Sequence, residues 1–223
     1  MKKYKLLEND TTEINGKTLY RIQALRSFGF VESGELGGYI EGEKNLSHDG
    51  DAWVADDACV YGNARVSEDA GVYGYSCVFG NAKIYGDASV CMSAWVYDNA
   101  RVYGNSWVDA SAKVYGNAEI YGEAIVTNKA CVGGDAKVSN FVITLETEDH
   151  TCTILKEYIV VDYQIYTYED CKNLTDDEIF KMYGQDYLVW WNKYKDVLLK
   201  IWELNYGGID EKINRTVSSS RIY

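Results

Sequence analysis

The chain contains no proline, so every bend in its 223 residues must come from glycine or from residues that tolerate a positive φ, chiefly Asn and Asp. Histidine is nearly absent too. His48 and His150 are the only imidazoles, which leaves few candidates for a general base. Six cysteines are present, but with no CxxC pair and no Cys/His grouping they form no zinc pattern, and neither a metal nor a cofactor is expected. No long apolar run follows Met1-Lys2-Lys3-Tyr4, so no signal peptide or transmembrane segment is expected. Those readings predict a cytoplasmic chain with reduced cysteines. Basic residues are outnumbered, 22 Lys and Arg against 34 Asp and Glu, for a net charge of −12. Such a surface repels phosphate backbones, so general nucleic-acid binding is not expected.

What is present is a repeat. Val or Ile stands at every sixth position from Val54 through Val60, Val66, Val72 and onward to Val138, fifteen times without a gap. Two places before each stands Ala, or Ser at Ser76 and Ser106. Tandem units this short imply a solenoid whose coils bury one another's apolar side chains. Burial of each Val or Ile contributes about 1.5–3 kcal/mol before chain entropy is set against it.

The residues following Val/Ile show that one coil holds three hexads. Sorted by every third hexad, one column reads Tyr61, Phe79, Tyr97, Tyr115, Gly133. A second reads Ser67, Tyr85, Tyr103, Tyr121, Ser139. The third is mixed: Ala55, Tyr73, Cys91, Asp109, Thr127. The structural period is therefore 18 and the shape a triangular prism. Fifteen hexads make five coils, roughly 24 Å tall at a strand spacing of ~4.8 Å. Gly-Asn and Gly-Asp pairs supply corners. Asn63, Asn81, Asn99 and Asn117, each 18 apart, predict a hydrogen-bonded amide ladder.

The flanks differ. Residues 1–50 read as an N-terminal cap. Strands around Tyr4–Leu7 and Thr18–Ile22 are joined at Asn15-Gly16, and a degenerate first hexad places Leu46 at the Ala position and His48 at the Val position. Residues 51–140 form the repeat. Residues 141–205 read as a small α+β region. Its expected strands are Phe141–Leu145, Thr151–Leu155 and Tyr158–Ile165. Its two expected helices are a short one opened by Thr175-Asp176-Asp177-Glu178 and a second over 186–204. The second helix carries an aromatic stripe of Tyr187, Trp190, Trp191, Tyr194, Leu198, Ile201 and Trp202, expected to pack on the last coil. Residues 206–223 read as a polar tail.

The hexads resemble the hexapeptide-repeat family, and that resemblance implies a mainly β chain built on a left-handed parallel β-helix. The segment Arg26 to Gly38, then Asn45-Leu46-Ser47, then repeats of the Gly-Asn-Ala-Arg-Val-Tyr type resemble the YdcK-like members of bacteria and prophages. The resemblance covers roughly residues 20–140. The ending from Thr175 to Ile201, with Trp190-Trp191, resembles tails of phage-encoded relatives. Many hexapeptide-repeat proteins are acyl-CoA transferases with a histidine base between subunits, often near a loop that interrupts the coils. Here the fifteen hexads run uninterrupted and neither histidine lies in the prism wall. No catalytic residue is assigned. His48 is expected to fill a cap position as a hydrogen-bonded histidine, and His150 to sit in a solvated turn.

Two surface columns are the candidate sites. Arg65, Lys83, Arg101 and Lys137, with Glu119 in the same column, run beside Tyr85, Tyr103 and Tyr121. Stacked cations repel unless anions intervene, and cations beside aromatic rings suit an anionic partner. The other column is Tyr61, Phe79, Tyr97 and Tyr115 with Trp95 beside it, an apolar strip of the kind that monomers seldom leave open; it is the expected self-association face, covered by a second subunit or by the C-terminal helix. Cys59 and Cys77 adjoin it as thiols. The corner carboxylates Glu68, Asp69, Asp87 and Glu123 read as a solvated acidic edge. The expectation is a non-enzymatic, self-associating β-helix scaffold, dimer or trimer, that binds a protein partner. Its narrower form is a phage protein acting in the host cytoplasm on a defence factor. Alternatives are an acyl-CoA-dependent acyltransferase and a protein that sequesters a small nucleotide or other anion.

Overall fold

The structure, a computed structural model, describes residues 2–207 and divides into two compact units that meet at Thr144/Leu145.

The first unit is a parallel β-solenoid. Strands β1 (Tyr4–Ile14) and β2 (Lys17–Ala24) form a hairpin. Strand β3 (Leu36–Ile40) follows, and then fifteen two-residue strands, β4 to β18, run from Trp53–Val54 to Lys137–Val138. Each short strand is one outward residue followed by one inward Val or Ile. Successive coils pair in register 18 residues apart, as in Val60↔Val78 and Val78↔Val96, so the strands sort into three walls. We call them the hairpin wall (Val60, Val78, Val96, Val114, Val132), the basic wall (Val66, Ile84, Val102, Ile120, Val138) and the bare wall (Val54, Val72, Val90, Val108, Val126). The inward Val/Ile and the Ala two places before them form one continuous core, all but Val138 fully buried. Ser76 and Ser106 are tolerated there because their hydroxyls donate to Tyr73 O (2.7 Å) and Tyr103 O (2.9 Å).

The corner follows one backbone rule. The second residue after each inward Val or Ile, from Asp56 to Gly134, has a positive φ. Eight of these are Gly, and the others are Asp56, Glu68, Met92, Asp98, Ala110 and Asn128. Close coil stacking adds a steric demand. A Cβ on Gly86 would lie 2.8 Å from the nitrogen of Gly104. Acidic corner residues also bind the next coil: Asp56, Glu68 and Asp98 accept from the N–H of Gly74, Gly86 and Gly116 at 2.9, 2.9 and 3.1 Å. The amide ladder is present. Asn63, Asn81, Asn99 and Asn117 each donate to the next at 3.0–3.2 Å, and Asn117 donates to Asp135 at 2.9 Å.

The solenoid has about six turns rather than five, because the cap supplies one. Ile40 pairs with Val60 and Leu46 with Val66, each 20 residues apart rather than 18. Leu46 thus occupies the inward Val place, not the Ala place, and His48 does not lie at an inward position. Two extra residues between Leu46 and Val54 shift the register. In this insertion His48 stacks on Tyr4 with centroids 4.3 Å apart, and its Nδ1 accepts the N–H of Lys3 at 3.2 Å. Tyr4 is buried and donates to Leu46 O at 2.8 Å. Fully buried Lys3 donates through Nζ to Ala52 O (2.7 Å) and Gly50 O (3.1 Å). The hairpin turns at Asn15-Gly16, both at positive φ as a two-residue loop demands, and adds β1 and β2 to the edge of the hairpin wall through β3.

The second unit is α+β. A four-stranded sheet runs in the order β19 (Ile143–Glu146), β20 (Thr151–Ile154), β21 (Ile159–Val161), β22 (Gln164–Tyr166), followed by α1 (Tyr168–Asn173), α2 (Asp176–Tyr183) and α3 (Gln185–Tyr206). Two expectations fail here. Tyr158–Ile165 is not one strand: it folds back at Asp162-Tyr163, where Asp162 takes φ 51° and Val161 pairs with Gln164. Among the described residues there are three helices, not two. The extra one, α1, is capped by Thr167, which accepts from the N–H of Asp170 at 3.0 Å. The aromatic stripe of α3 is covered within its own unit. Trp190 donates to Thr147 Oγ1 (2.9 Å), Trp202 to Lys156 O (3.1 Å) and Tyr194 to Glu148 (2.6 Å). Trp190, Trp191, Tyr187 and Leu198 are buried, with Ile201 and Trp202 half-buried. Beyond Gly207, the expected polar tail falls outside the described residues.

Candidate binding faces

The basic wall sets Arg65, Lys83, Arg101, Glu119 and Lys137 on consecutive rungs in register. All four cations are exposed. Glu119 pairs with Arg101 at 3.5 Å and accepts from Tyr103 OH at 3.3 Å. Arg65 and Lys83 have no carboxylate within 4.0 Å among the described residues, although Arg65 borders a shallow depression that Asp49, Glu68 and Asp69 also line. Glu68 is already held by Gly86 N–H. Beside the cations, Tyr85–Tyr103 and Tyr103–Tyr121 stack at 4.9 and 5.6 Å, with planes within 15° of parallel. Burial pushes the Tyr85 and Tyr103 hydroxyls up, so both stay neutral donors at ordinary pH.

On the hairpin wall the aromatic column stacks as the spacing implies. Tyr61–Phe79, Phe79–Tyr97 and Tyr97–Tyr115 lie 5.1, 5.1 and 5.5 Å apart, and Trp95 meets Phe79 edge-on at 6.1 Å. Its beginning is not open. Leu19 and Ile14 of the hairpin pack on Tyr61, Cys59 and Phe79, and Asn15 donates to Tyr61 OH at 3.3 Å. The chain's own hairpin thus covers the beginning of the strip. Cys59 and Cys77 are free thiols in register. The Cys59 thiol donates to Asp57 O at 3.4 Å; its closeness to Cys77 and burial push it up, and the same closeness lowers Cys77.

The bare wall carries Trp53 and Trp107, with Asp109. Trp53 is not on the surface. It is buried under the loop bearing Phe28, whose ring meets it at 5.4 Å. Trp107 and Ile125 stand in register on adjacent rungs, both exposed; Tyr73, two rungs before Trp107, and Tyr75 and Met92, at the corner that leads to the hairpin wall, are exposed too. The overlooked signal is the column Ser89, Trp107, Ile125, one residue before the inward Val and two before Cys91, Asp109 and Thr127.

The histidines are both engaged. His150 is no solvated turn. Its Nδ1 lies 2.6 Å from Asp162 Oδ2, and its ring packs on Tyr187 and Trp190 at 5.0 and 4.7 Å. The carboxylate orients the imidazole, but no nucleophilic hydroxyl or thiol is hydrogen-bonded to its ring among the described residues. No group of three metal-binding side chains occurs among those residues, and no helix among them is long and apolar enough to cross a membrane.

Continuous three-walled coils with left-handed corner residues define a β-solenoid protein. A family model described as the YdcK β-solenoid repeat matches residues 58–74 and 94–109, two stretches inside those coils, so the coils of this chain are similar to that repeat. Comparison with curated proteins gives no match.

Proposed function

We propose that the chain is a non-enzymatic, self-associating scaffold that captures an acidic protein surface on its basic wall. One observation carries this reading: Arg65, Lys83 and Arg101 occupy three successive rungs, exposed, and only Arg101 pairs with a carboxylate. At rung spacing each neighbouring pair of like charges costs up to about 1 kcal/mol in a water-like medium. A carboxylate-bearing partner relieves that repulsion on a molecule that is otherwise acidic. The tyrosine column favours such a partner over a nucleotide. Its rings stack on one another, so the faces on which a base would lie are already occupied. The narrower version, a phage-encoded protein that blocks a host defence factor, draws on the resemblance of the repeats and tail to prophage chains. Acyl transfer draws on fold likeness alone, and the structural engagement of His48 and His150 weighs against it.

The triple variant Arg65→Glu, Lys83→Glu, Arg101→Glu tests the wall. Native mass spectrometry of protein drawn gently from host lysate should show a bound protein with the wild type and none with the variant. A partner retained unchanged by the variant rejects this face.

A further inference from the structure

We propose that the bare wall is the homodimer interface, the patch centred on Trp107 and Ile125 packing against the same patch of a second copy. This deepens the self-association in the reading above by naming its surface. Tyr73, Tyr75, Met92, Trp95, Trp107 and Ile125 are each between 39% and 70% exposed. Tyr73, Trp107 and Ile125 lie on the bare wall, Tyr75 and Met92 on its corner with the hairpin wall, and Trp95 at the first outward place of the hairpin wall past that corner.

Area is the first argument. Large side chains bury about 150–250 Å² each, so six half-exposed ones offer on the order of 600 Å². One side of a standard interface is about 800 Å², of which about 60% is apolar. The patch therefore supplies the apolar share of one side.

Charge is the second. The chain carries −12, so two copies repel wherever their acidic surfaces meet. The outward residues of the bare wall, from Trp53 to Thr127, include one charge, Asp109. The basic wall, by contrast, carries five. A second copy is the occupant that a charge-poor apolar wall on an acidic molecule accommodates.

Backbone cost is the third. Met92 sits at a corner where φ is +59°, a place that most other coils give to Gly, Asp or Asn. Holding a long side chain there carries a steric cost that Gly would not. The result is a flexible apolar side chain, 60% exposed, at the edge of the patch, and methionine adapts readily to an opposing surface. Because the patch packs on the same patch of the second copy, the contact is isologous and closes at two copies. Asp69 and Asp87 flank Tyr73 in a groove of 420 Å³ beside the patch, so the association strengthens as salt screens them.

Sedimentation velocity on the full chain, across a concentration series at low and high salt, reads this directly. The wild type should pass from monomer to dimer, more readily at high salt. The double variant Trp107→Glu, Ile125→Glu should stay monomeric, with the dimer weakened at least about a hundredfold and the circular dichroism spectrum unchanged; both side chains are exposed, so the fold does not depend on them. A wild type that remains monomeric, or a double variant that associates as the wild type does, overturns the proposal. So does a monomer that engages a foreign protein through Trp107. The basic-wall triple variant is run beside it: it should keep the dimer while losing the partner, so failure of one reading is distinguishable from failure of the other.

Discussion

Val96 and Trp191 are both shut off from water, in very different company. Val96 lies in a column of like residues, between Val78 and Val114, with Ala94 two places before it. Trp191 meets Tyr166, Tyr187 and Trp190, with the ammonium of Lys195 over its ring at 5.9 Å. The solenoid core uses small side chains, and each rung touches only the rungs above and below. The α+β core uses large rings that each touch several elements distant in sequence. Stability in the first is close to a sum of identical neighbour terms. In the second a single ring ties strands and helices together, so one loss is felt throughout.

The largest expected effect follows from that contrast. Trp191→Ala should cost the second unit about 3–5 kcal/mol. Calorimetry should then show one transition lowered while the solenoid transition stays. If both move together, the units unfold as one block and the comparison breaks. Of intermediate size is Asn81→Ala, which removes the side-chain bonds to Asn63 and Asn99 and should cost about 1–2 kcal/mol by denaturant midpoint. Asn63→Ala and Asn117→Ala share no bonded partner, so their combined cost should equal the sum of the two. A large coupling between them would mean that the coils do not act through neighbours alone.

The smallest effect concerns the cap. Burial pushes the Lys3 ammonium down to about 8, against the opposing pull of Asp51. Below pH 8 the folded and unfolded chains both hold this proton, and it contributes no slope. Between about 8 and the ordinary 10.5 the unfolded chain still holds it after the folded chain has released it. Stability therefore rises with pH across that window. Lys3→Met should flatten the rise, measured as midpoint against pH. An unchanged slope would place the Lys3 proton elsewhere in pH.

The solenoid was legible because a side-chain period imposed by backbone geometry is written directly into the residue order. Walls, corners and the amide ladder all follow from counting by six and eighteen. Counting failed where the period slipped. Ile40 and Leu46 keep the six-residue step, but the two extra residues before Val54 put Leu46 at the inward place that counting back from Val54 gave to His48. Trp53 reads as outward by position, yet a loop some 25 residues earlier folds over it, and no local pattern announces that. In the second unit Ile159–Val161 reads straight on toward Ile165, so the turn at Asp162 was hidden inside an apolar run. The six residues of α1 are too few to show a helical period. Of the candidate faces, the stacked columns were visible in the sequence. Which of them the chain's own hairpin covers was not, because that is a contact between Leu19 and Tyr61 across one wall.

The eighteen-residue register between coils also has a consequence for heredity. A gene that gains or loses one whole coil's worth of codons encodes a prism one storey taller or shorter, and every surviving floor meets a ceiling of the same kind. Height is thus a quantity that such a lineage can vary by simple slippage, while the irregular first turn stays outside the repeat.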